Sequence, residues 1–488
     1  MPAFSLEPEH IARCAELRAL AAERLRPIAD KGEPGRVNRP LVAELGRLGL
    51  LSRLFTAGAL DLCLLRESLA YACTEAETAL ALQGLGAHPV HAHGTPAQRR
   101  RWLPRVADGS AVAAFALSEP GAGSDAGALA LRAEPDGPRT GDEPSDATGE
   151  TAGGATGPRR GDAPSDGVGP GAAAGPQGAA GPGAGGAASG SAGSGAGDAS
   201  SGSAGSGVGG DAPGSAGAGV AASVAAGSRA GGGTLAVPRP DSALAAESDG
   251  PSGWRLSGEK CWISNAPDAD FYTVFARTTP GAGARGVTAF LVPADRPGLT
   301  GTGLDMLSPH AIGALDFDAV PVTADDVLGE TDRGFRVAMG TLNLFRPSVG
   351  AFAVGMAQAA LDATLAHTDR REAFGGRLRD LQTVAHQVAE MALRTEAARL
   401  MVYAAATAYD EGAPDIPRRA AMAKLLATET AQYVVDTAVQ LHGARALERG
   451  HLLEHLYREV RAPRVYEGAS EVQRGIIAKE LYAGLEVS

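Results

Sequence analysis

The pattern of hydrophobic and polar positions changes twice along the chain. Over residues 7–29 the apolar side chains fall near helical spacing. Further on, Asn38 stands before Pro40 and Thr95 before Pro96, and a capping residue followed by proline in the first turn is typical of a helix start. The chain up to about residue 108 is therefore predicted to be an all-α module. The apolar positions of its first helix are Ile11, Leu17, Leu20 and Leu25.

From Ala111 the pattern changes to short runs rich in Val, Phe, Tyr and Thr, separated by Gly, Pro and Asp. Such runs are typical of strands, and their spacing indicates a compact β domain of the sandwich or barrel type. The runs are AVAAFAL from Ala111, LALRAE from Leu129, WRLSGEKCWIS from Trp254, FYTVFARTT from Phe271, GVTAFLVPA from Gly286 and GALDFDAV from Gly313.

After Arg333 the pattern returns to long helices. Few Gly or Pro interrupt residues 415–441, and four or five such helices with short connections indicate an antiparallel bundle. One helix face is marked, at spacings of four, three and four residues, by Val384, Val388, Met391 and Thr395.

These patterns predict an α+β chain of three domains. They are an N-terminal all-α domain (1–110), a central β-sandwich or barrel domain (111–330) and a C-terminal four-helix-bundle domain (331–488). The central domain is interrupted at 135–250, a segment without Phe, Trp, Tyr, Ile, Met, Cys, Lys, His or Asn that holds about half of the chain's 67 Gly. Such a composition buries too little apolar surface to offset the entropy of ordering the backbone, so we predict a disordered insertion.

The insertion interrupts a loop. Without it, the runs from Leu129 and from Trp254 would be neighbours joined by a hairpin-sized connection. Its internal repeats, such as GPRTGDEPSD from Gly137 and GPRRGDAPSD from Gly157, are products of replication slippage as readily as of selection. We expect it to have no role in catalysis.

Composition excludes several classes of function. A formal net charge of −12 argues against a nucleic-acid-binding protein, since phosphate backbones select clustered Lys and Arg. No apolar run approaches the ~18 residues of a membrane helix, and the N-terminus has no secretory signal pattern. We therefore expect a soluble, cytoplasmic protein with no membrane span. Neither CxxC nor metal-ligand spacing is present among Cys14, Cys63, Cys73 and Cys261, and we predict no metal site.

The first segment with candidate chemistry is ALSEPGAGSD, from Ala116 to Asp125. It leaves a predicted strand and enters a turn in which Gly121 and Gly123 let the backbone approach a ligand closely. Ser118, Ser124 and the free N–H groups of the turn are potential donors to a phosphate or a flavin edge. An ordinary Gly/Pro turn after a strand is the alternative interpretation.

The second segment is KCWISNA, at the end of a predicted strand. Trp262 could pack against a planar ring while the hydroxyl of Ser264 donates to it. A tryptophan buried in the core of the β domain is the alternative.

The third segment is VYEGASEVQ, in which Glu467 precedes a predicted helix from Ser470. A carboxylate in this position is either an acid favoured by the helix dipole or, if it faces a dry cavity, a general base whose pKa is raised by desolvation.

The fourth segment is RREAFG, where Arg371 and Phe374 stand at the end of one helix and Gln382 opens the next. The arginine suits either a pyrophosphate or the negative end of the helix dipole.

These segments, together with QLHGA from Gln440, occur in the order and at roughly the separations found in the acyl-CoA dehydrogenase family, which the chain resembles everywhere except in the insertion. The resemblance implies FAD as the cofactor. It assigns Trp262 to the isoalloxazine and Ser264 to its N5 edge, and it places the pyrophosphate near Ser124. The residues expected on FAD are Phe115, Leu117, Ser118, Ser124, Trp262, Ser264, Ala469 and Glu471, and, across a subunit boundary, Arg371, Phe374, Gln382, Gln440 and Gly443.

The resemblance also implies the reaction. Glu467 would take the α-proton of an acyl-CoA thioester, and the β-hydrogen would leave as hydride to flavin N5, giving a trans-2-enoyl-CoA. Ser124, Arg346 and Gly468 are expected on the substrate, and the main-chain N–H of Glu467 on the thioester oxygen. The implied partners are an electron-transferring flavoprotein as electron acceptor and further copies of the chain in a homodimer or homotetramer.

The chain departs from the family pattern at a few positions. Ala444, Arg445 and Ala446 stand where the family commonly has glycines around Gly443, Ala469 lacks a hydroxyl, and Asn343 replaces an acid. Within the same fold, an acyl-CoA oxidase, a flavin monooxygenase and an acyl-carrier-protein dehydrogenase are alternative activities. A catalytically degenerate scaffold protein is the alternative of another class.

Overall fold

Residues 6–136, 253–483 and 485 are described by the computed structural model, and all of them lie in one unit formed by 1–142 and 248–488. The insertion predicted at 135–250 falls almost wholly outside the described residues, so its disorder stays a prediction.

The N-terminal part of the chain is helical, as predicted. Asn38 caps α3, its side chain accepting from the Leu41 N–H, and Thr95 caps α7 in a capping box with Gln98. The predicted first helix includes a π turn, and among its apolar positions Leu17 and Leu25 are buried whereas Ile11 is 58% exposed. The helices are α1 (Pro8–Leu20), α2 (Arg26–Ala29), α3 (Arg39–Arg47), α4 (Arg53–Thr56), α5 (Ala59–Ala72), α6 (Thr74–His93) and α7 (Pro96–Ala107).

The predicted central β domain is also present, and its strands form one seven-stranded sheet. The six predicted runs correspond to strands, whereas Leu299–Gly303 is a seventh that we did not predict. The strands are β1 (Ala113–Ala116), β2 (Arg132–Pro135), β3 (Gly253–Ser264), β4 (Phe271–Arg277), β5 (Val287–Pro293), β6 (Leu299–Gly303) and β7 (Ile312–Thr323).

Strand β4 organises this sheet. It pairs antiparallel with β5 along one side, and on its other side it pairs parallel with β1 and, at Arg277, with β2. Strand β2 then pairs antiparallel with β3, so that Pro135 stands opposite Trp254. The two runs that flank the insertion are therefore adjacent strands, as the sequence predicts.

The C-terminal part consists of long helices, as predicted. On one of them Val384, Met391 and Thr395 are buried on a common face. The helices are α8 (Gly334–Arg370), α9 (Gln382–Asp410), α10 (Ile416–His442), α11 (Leu452–Glu459) and α12 (Ser470–Ala483), and a two-residue hairpin, β8 (Glu372–Ala373) with β9 (Gly376–Arg377), lies between α8 and α9.

Helix α8 bears on the expectation that no apolar run is long enough for a membrane helix. It contains an 18-residue window with a mean hydropathy of 1.4, which is long and apolar enough for a membrane span, but 72% of that window is buried inside the protein. A central helix of a bundle has this composition because it is covered by neighbours on all sides.

Buried apolar residues form two clusters. One joins the N-terminal helices to the sheet and to the start of α8. The other joins α8, α9, α10 and α11 to part of α5, through Ala59, Cys63 and Leu64. Helices α5 and α8 contribute to both clusters, so they connect the packing of the sheet and N-terminal helices with that of the bundle. The domain boundaries given above stay a prediction.

Candidate active site

The first two candidate segments lie side by side. The N–H of Cys261 donates to the carbonyl oxygen of Ser118 at 3.0 Å. The neighbouring Lys260 is fully buried, and its Nζ donates to the carbonyl of Leu117 at 3.0 Å and to Oε1 of Glu119 at 2.7 Å. ALSEPGAGSD and KCWISNA therefore form one continuous surface at the end of β1 and β3.

Trp262 lies on this surface in an unusual backbone conformation. Its φ is +57°, at an irregularity in the pairing of β3 with β7 between Lys260 and Ile263. Its side chain is 48% exposed, so the alternative that it belongs to the core is wrong. A positive φ at a bulky residue costs about 1–3 kcal/mol and persists where the surrounding structure enforces it, which is frequent at functional sites.

The surface around Trp262 has free donors and open space. The hydroxyls of Ser118, Ser124 and Ser264 have no hydrogen-bond partner among residues 6–136, 253–483 and 485. A Cβ built at Gly121 or Gly123 would meet no atom within 4 Å. An exposed aromatic ring flanked by unpaired hydroxyls and an open glycine turn fits a planar, hydrogen-bonding cofactor such as a flavin.

Two other residues expected on the cofactor are more enclosed. Phe115 is partly buried and packs against Phe275, with 4.9 Å between ring centroids. Leu117 is buried, and its carbonyl is already used by Lys260.

Glu467 lies in the turn before α12, with φ at +51°. Its Oε2 atom is buried and has no hydrogen-bond partner within the described part of the chain, although the residue as a whole is only partly buried. Its main-chain N–H likewise has no partner there. One residue thus presents an unpaired acceptor and an unpaired donor.

Three side chains hold this turn through its carbonyl groups. Nε of Arg346 lies 3.4 Å from the carbonyl oxygen of Glu467, and Nζ of Lys424 lies 2.6 Å from that of Gly468. Gln473, on the first turn of α12, donates to the carbonyls of Gly468 at 3.0 Å and Glu467 at 3.3 Å. These contacts leave the Glu467 carboxylate itself free to react.

Electrostatics tune Glu467 in two opposing directions. Burial raises the pKa of its carboxyl above the usual range, while the charges of Arg66, Lys424 and Arg346 lower it in part. Burial also lowers the pKa of Lys424 to about 8. A general base near neutral pH requires a carboxylate that has a raised pKa and an oxygen without a hydrogen-bond partner.

The remaining site residues lie elsewhere on the surface of the bundle. Phe374 is 91% exposed and has a φ of +57°. The stacked rings of His367 and His442, with centroids 4.1 Å apart, bring the ends of α8 and α10 together. In the described part of the chain this group makes no hydrogen bond or ion pair with the surface around Trp262. The residues of the group, all exposed, are Arg371, Phe374, Gln382, Gln440 and Gly443.

Ala469 and Glu471 flank the base on its C-terminal side. Ala469 is partly buried, and Glu471 is exposed and lies 3.7 Å from Arg474 as an ion pair.

Sequence reasoning missed several residues that shape the site. A charged residue inside an apolar helical run is the signal that points to Arg66 and Lys424. No local signal indicates that Lys260 is buried, since it directly follows another charged residue, Glu259, within the predicted strand. The residues missed are Arg66, Glu77, Glu119, Lys260, Lys424 and Gln473.

Two clefts lie away from these residues. One, of about 590 Å³, separates the α2–α3 loop from residues 267–269, and the other, of about 280 Å³, lies among α9, α10 and α12. Neither is lined by Glu467 or Trp262.

Comparison with known protein families gives three matches along the chain. Residues 7–110 match the family model described as acyl-CoA dehydrogenase, N-terminal domain. Residues 228–320 match that of the middle domain, and residues 332–482 match that of the C-terminal domain.

Curated relatives and solved structures agree with these matches. The chain is 38% identical over 239 residues to a probable acyl-CoA dehydrogenase, FadE25, of Mycobacterium tuberculosis, covering 48% of this chain and 61% of the relative. It is 40% identical over 239 residues to the mitochondrial short-chain specific acyl-CoA dehydrogenase of Homo sapiens, covering 48% and 58%. The aligned part therefore spans about three-fifths of each relative's length. The fold is similar to that of butyryl-CoA dehydrogenase from Megasphaera elsdenii, with a TM-score of 0.70 at 24% identity over 98% of this chain and 100% of the other.

Proposed function

Since the chain belongs to the acyl-CoA dehydrogenase family, we propose that it removes one hydrogen each from Cα and Cβ of an acyl-CoA thioester, giving a trans-2-enoyl-CoA. The observation that carries this proposal is Glu467, whose Oε2 and main-chain N–H are both without partners in the described part of the chain. Such a pair can take a proton from a carbon acid and bind the oxygen on which the charge develops.

The proton transfer follows from the chemistry of the thioester. Its α-proton is too weakly acidic for a free carboxylate, so the site must stabilise the developing enolate oxygen. In the proposal the N–H of Glu467 donates to that oxygen while the carboxylate removes the proton. Arg346 and Lys424 keep the turn fixed, so donor and base stay in register during the reaction.

Arg346, Ser124 and Gly468 are proposed to bind the substrate. Arg346 is buried, and its two hydrogen bonds, to Asn343 at 3.3 Å and to the Glu467 carbonyl at 3.4 Å, are long and go to uncharged oxygens. Ser124 is exposed on the open turn and suits the polar part of the CoA.

FAD is the proposed cofactor, held against Trp262 by the hydroxyls of Ser118, Ser124 and Ser264. When bound there, FAD supplies the acceptor for the β-hydrogen, which leaves as hydride. Exclusion of water by the Trp262 ring protects this step. Phe115, Leu117, Ala469 and Glu471 are proposed to complete the cofactor contacts.

We further propose that the chain acts as a homodimer or homotetramer. Arg371, Phe374, Gln382, Gln440 and Gly443 would reach the FAD of a neighbouring copy, and the 91% exposure of the Phe374 ring supports a covering partner. Electron-transferring flavoprotein is the proposed electron acceptor. Four free thiols support a reducing, cytoplasmic setting.

The test is an anaerobic titration of the purified protein with butyryl-, hexanoyl- and octanoyl-CoA. We expect bound FAD and bleaching of its absorbance by at least one thioester. Glu467→Gln should bind flavin normally and lose roughly 10²–10⁴-fold in the bleaching rate. Glu411→Gln, at an exposed carboxylate between α9 and α10, is the matched control.

Two results would reject the proposal. Purified protein without FAD would favour the scaffold alternative. Full activity in Glu467→Gln would show that Glu467 is not the catalytic base. Oxygen consumption during turnover would separate an oxidase or a monooxygenase from a dehydrogenase, and reaction only with a carrier-protein thioester would identify the remaining alternative.

A further inference from the structure

A buried ion pair lies next to the proposed base. Arg66 on α5 and Glu77 on α6 are 2% and 1% exposed, and Nε of Arg66 donates to Oε1 of Glu77. Nη1 of Arg66 also donates to the hydroxyl of Ser348, on α8, at 2.6 Å. One guanidinium thus joins three helices.

This pair acts directly on the base. The charge of Arg66 lowers the pKa of Glu467, and Glu467 in turn raises the pKa of Glu77. Ser348 is two residues from Arg346, whose Nε contacts the Glu467 carbonyl. The ion pair is therefore buried among α5, α6 and α8, and α8 connects it to the turn that carries Glu467.

A second polar set continues from this pair. Nε2 of His310 lies 2.6 Å from Oε2 of Glu459 and 3.5 Å from the hydroxyl of Thr78. Glu459 is 1% exposed, and its Oε1 atom is buried without a hydrogen-bond partner within the described residues. An orphan carboxylate oxygen of this kind is costly and requires a donor.

The two sets meet at Thr78. Its hydroxyl lies 3.4 Å from Oε2 of Glu77 and 3.5 Å from Nε2 of His310. The ion pair and the His310–Glu459 pair therefore form one connected polar group.

Binding of an unsubstituted hydrocarbon chain does not explain why charged groups are buried next to the base. Burying two charges costs several kcal/mol per ion, and apolar residues of similar volume are often equally or more stabilising. A site for an unsubstituted fatty acyl chain is better lined with aliphatic side chains. Buried groups that hydrogen-bond a substrate instead give strong discrimination against analogues that lack the matching group.

The charges of the two sets balance. Arg66 and a protonated His310 offset Glu77 and Glu459, and the attraction of Glu459 raises the pKa of His310 in spite of burial, with smaller contributions from Glu75 and Glu77. Glu75 itself lies 3.5 Å from His455, outside the two sets. A carboxylate or an ammonium would leave one net charge uncompensated. An uncharged group that both donates and accepts hydrogen bonds could donate to the unpaired Oε1 of Glu459 and accept from the guanidinium of Arg66.

We propose that the acyl chain accepted by this site carries an uncharged hydrogen-bonding group, a hydroxyl or a carboxamide, which binds among Arg66, Glu77 and Glu459. This proposal rests on the proposed function, because it concerns the acyl end of the same substrate. It makes the Arg66–Glu77 pair a determinant of substrate specificity.

The test compares acyl-CoA thioesters of one chain length in the anaerobic reduction of the flavin: hexanoyl-CoA, 6-hydroxyhexanoyl-CoA, the monoamide of adipoyl-CoA, and adipoyl-CoA with its free carboxylate. In the wild-type protein we expect the hydroxy or amide thioester to exceed hexanoyl-CoA at least about 10-fold in kcat/KM, and adipoyl-CoA to be poorer than both. The double variant Arg66→Met/Glu77→Leu should reverse the preference in favour of hexanoyl-CoA.

The matched control is Tyr403→Phe. It removes another buried hydrogen bond to α5, the 2.8 Å contact from Tyr403 to Glu67, and should leave the substrate preference unchanged. Flavin content reports whether each variant folds. If the double variant does not fold, the wild-type ratios and Glu77→Gln, which keeps a polar partner for Arg66 and should retain the preference, decide the matter.

The possible failures are distinguishable. If hexanoyl-CoA reduces the flavin as well as or better than the hydroxy and amide thioesters in the wild-type protein, this proposal is overturned while the proposed function stands. If the double variant keeps the polar preference, the ion pair is not its source and the proposal is equally overturned. If no thioester reduces the flavin, the proposed function fails and this inference fails with it.

Discussion

Lys260 and Glu119 form a buried ion pair, with Nζ 2.7 Å from Oε1, that connects the two halves of the proposed flavin surface. Glu119 also accepts from the N–H groups of Ala130 at 2.5 Å and Leu131 at 3.0 Å. Burial lowers the pKa of Lys260 to about 8. The pair therefore fixes the open turn of ALSEPGAGSD against β3 and against the chain that leads into β2.

Replacing one partner of this pair should lower the stability of the protein more than replacing both. Lys260→Met leaves the Glu119 carboxylate buried without its counter-charge, and we expect a loss of about 3–5 kcal/mol in the free energy of unfolding. Lys260→Met/Glu119→Gln should recover much of that loss. Urea unfolding measures both, and equal stabilities of the two variants would contradict the argument.

Lys424 should contribute to the pH at which the base works, after burial and the charge of Arg66. Glu467 acts when ionised, and the Lys424 charge lowers its pKa. Lys424→Met should therefore raise that pKa and move the acid limb of the kcat profile upward by about one pH unit, equivalent to about 1.4 kcal/mol. Activity would fall on the acid side and recover as pH rises.

The charge effect can be separated from the hydrogen bond. Lys424→Arg keeps a positive charge but fits the 2.6 Å contact with the Gly468 carbonyl less well. We expect its acid limb to stay near that of the wild-type protein while kcat falls. An unchanged acid limb in Lys424→Met would show that the charge has no part in tuning Glu467.

Two tryptophans of the β domain should respond in opposite ways to truncation. Trp254 is 4% exposed and packs on Phe290, whereas Trp262 is 48% exposed. Trp254→Ala should destabilise the protein by about 3–5 kcal/mol through a core cavity. Trp262→Ala should leave the thermal stability of the apoprotein nearly unchanged and weaken flavin retention.

The measurement is the thermal unfolding of the apoproteins together with the flavin-to-protein ratio after gel filtration. A large fall in apoprotein stability with Trp262→Ala, at unchanged flavin content, would return Trp262 to the core interpretation.

Local signals predict the elements that depend on local chemistry. Asn38 and Thr95 mark helix starts because a cap is formed within three residues of sequence. Strand β6 is missed because LTGTG has two glycines and one apolar residue, and it is a strand through its pairing with β7.

Local signals mark Arg66 and Lys424 only as charged residues inside apolar helical runs, and they do not give the partners that these residues meet. Arg66 meets Ser348 across 282 positions of sequence, and Lys424 meets Gly468 across 44. Helical periodicity assigns charged residues to the solvent face by default, and only a distant partner reverses that assignment. The positive φ of Trp262 likewise depends on a distant partner, because it occurs where the pairing of β3 with β7 changes register.

Deleting residues 136–249 should leave kcat and bound flavin unchanged. Pro135 and Trp254 are already paired across β2 and β3, so the remaining GPSG would close a hairpin between strands that are adjacent in any case. Loop-closure entropy grows only slowly with length, so shortening the connection should change the free energy of unfolding by about 1–3 kcal/mol at most.

The matched control replaces the segment with a Gly/Ser linker of equal length, which should behave as the wild-type protein does. Both proteins are compared by flavin content and by the rate of flavin reduction with one thioester. A large loss in the deletion that the linker restores would indicate strain in the short hairpin, whereas a loss in both would give the insertion a sequence-specific role and contradict the prediction.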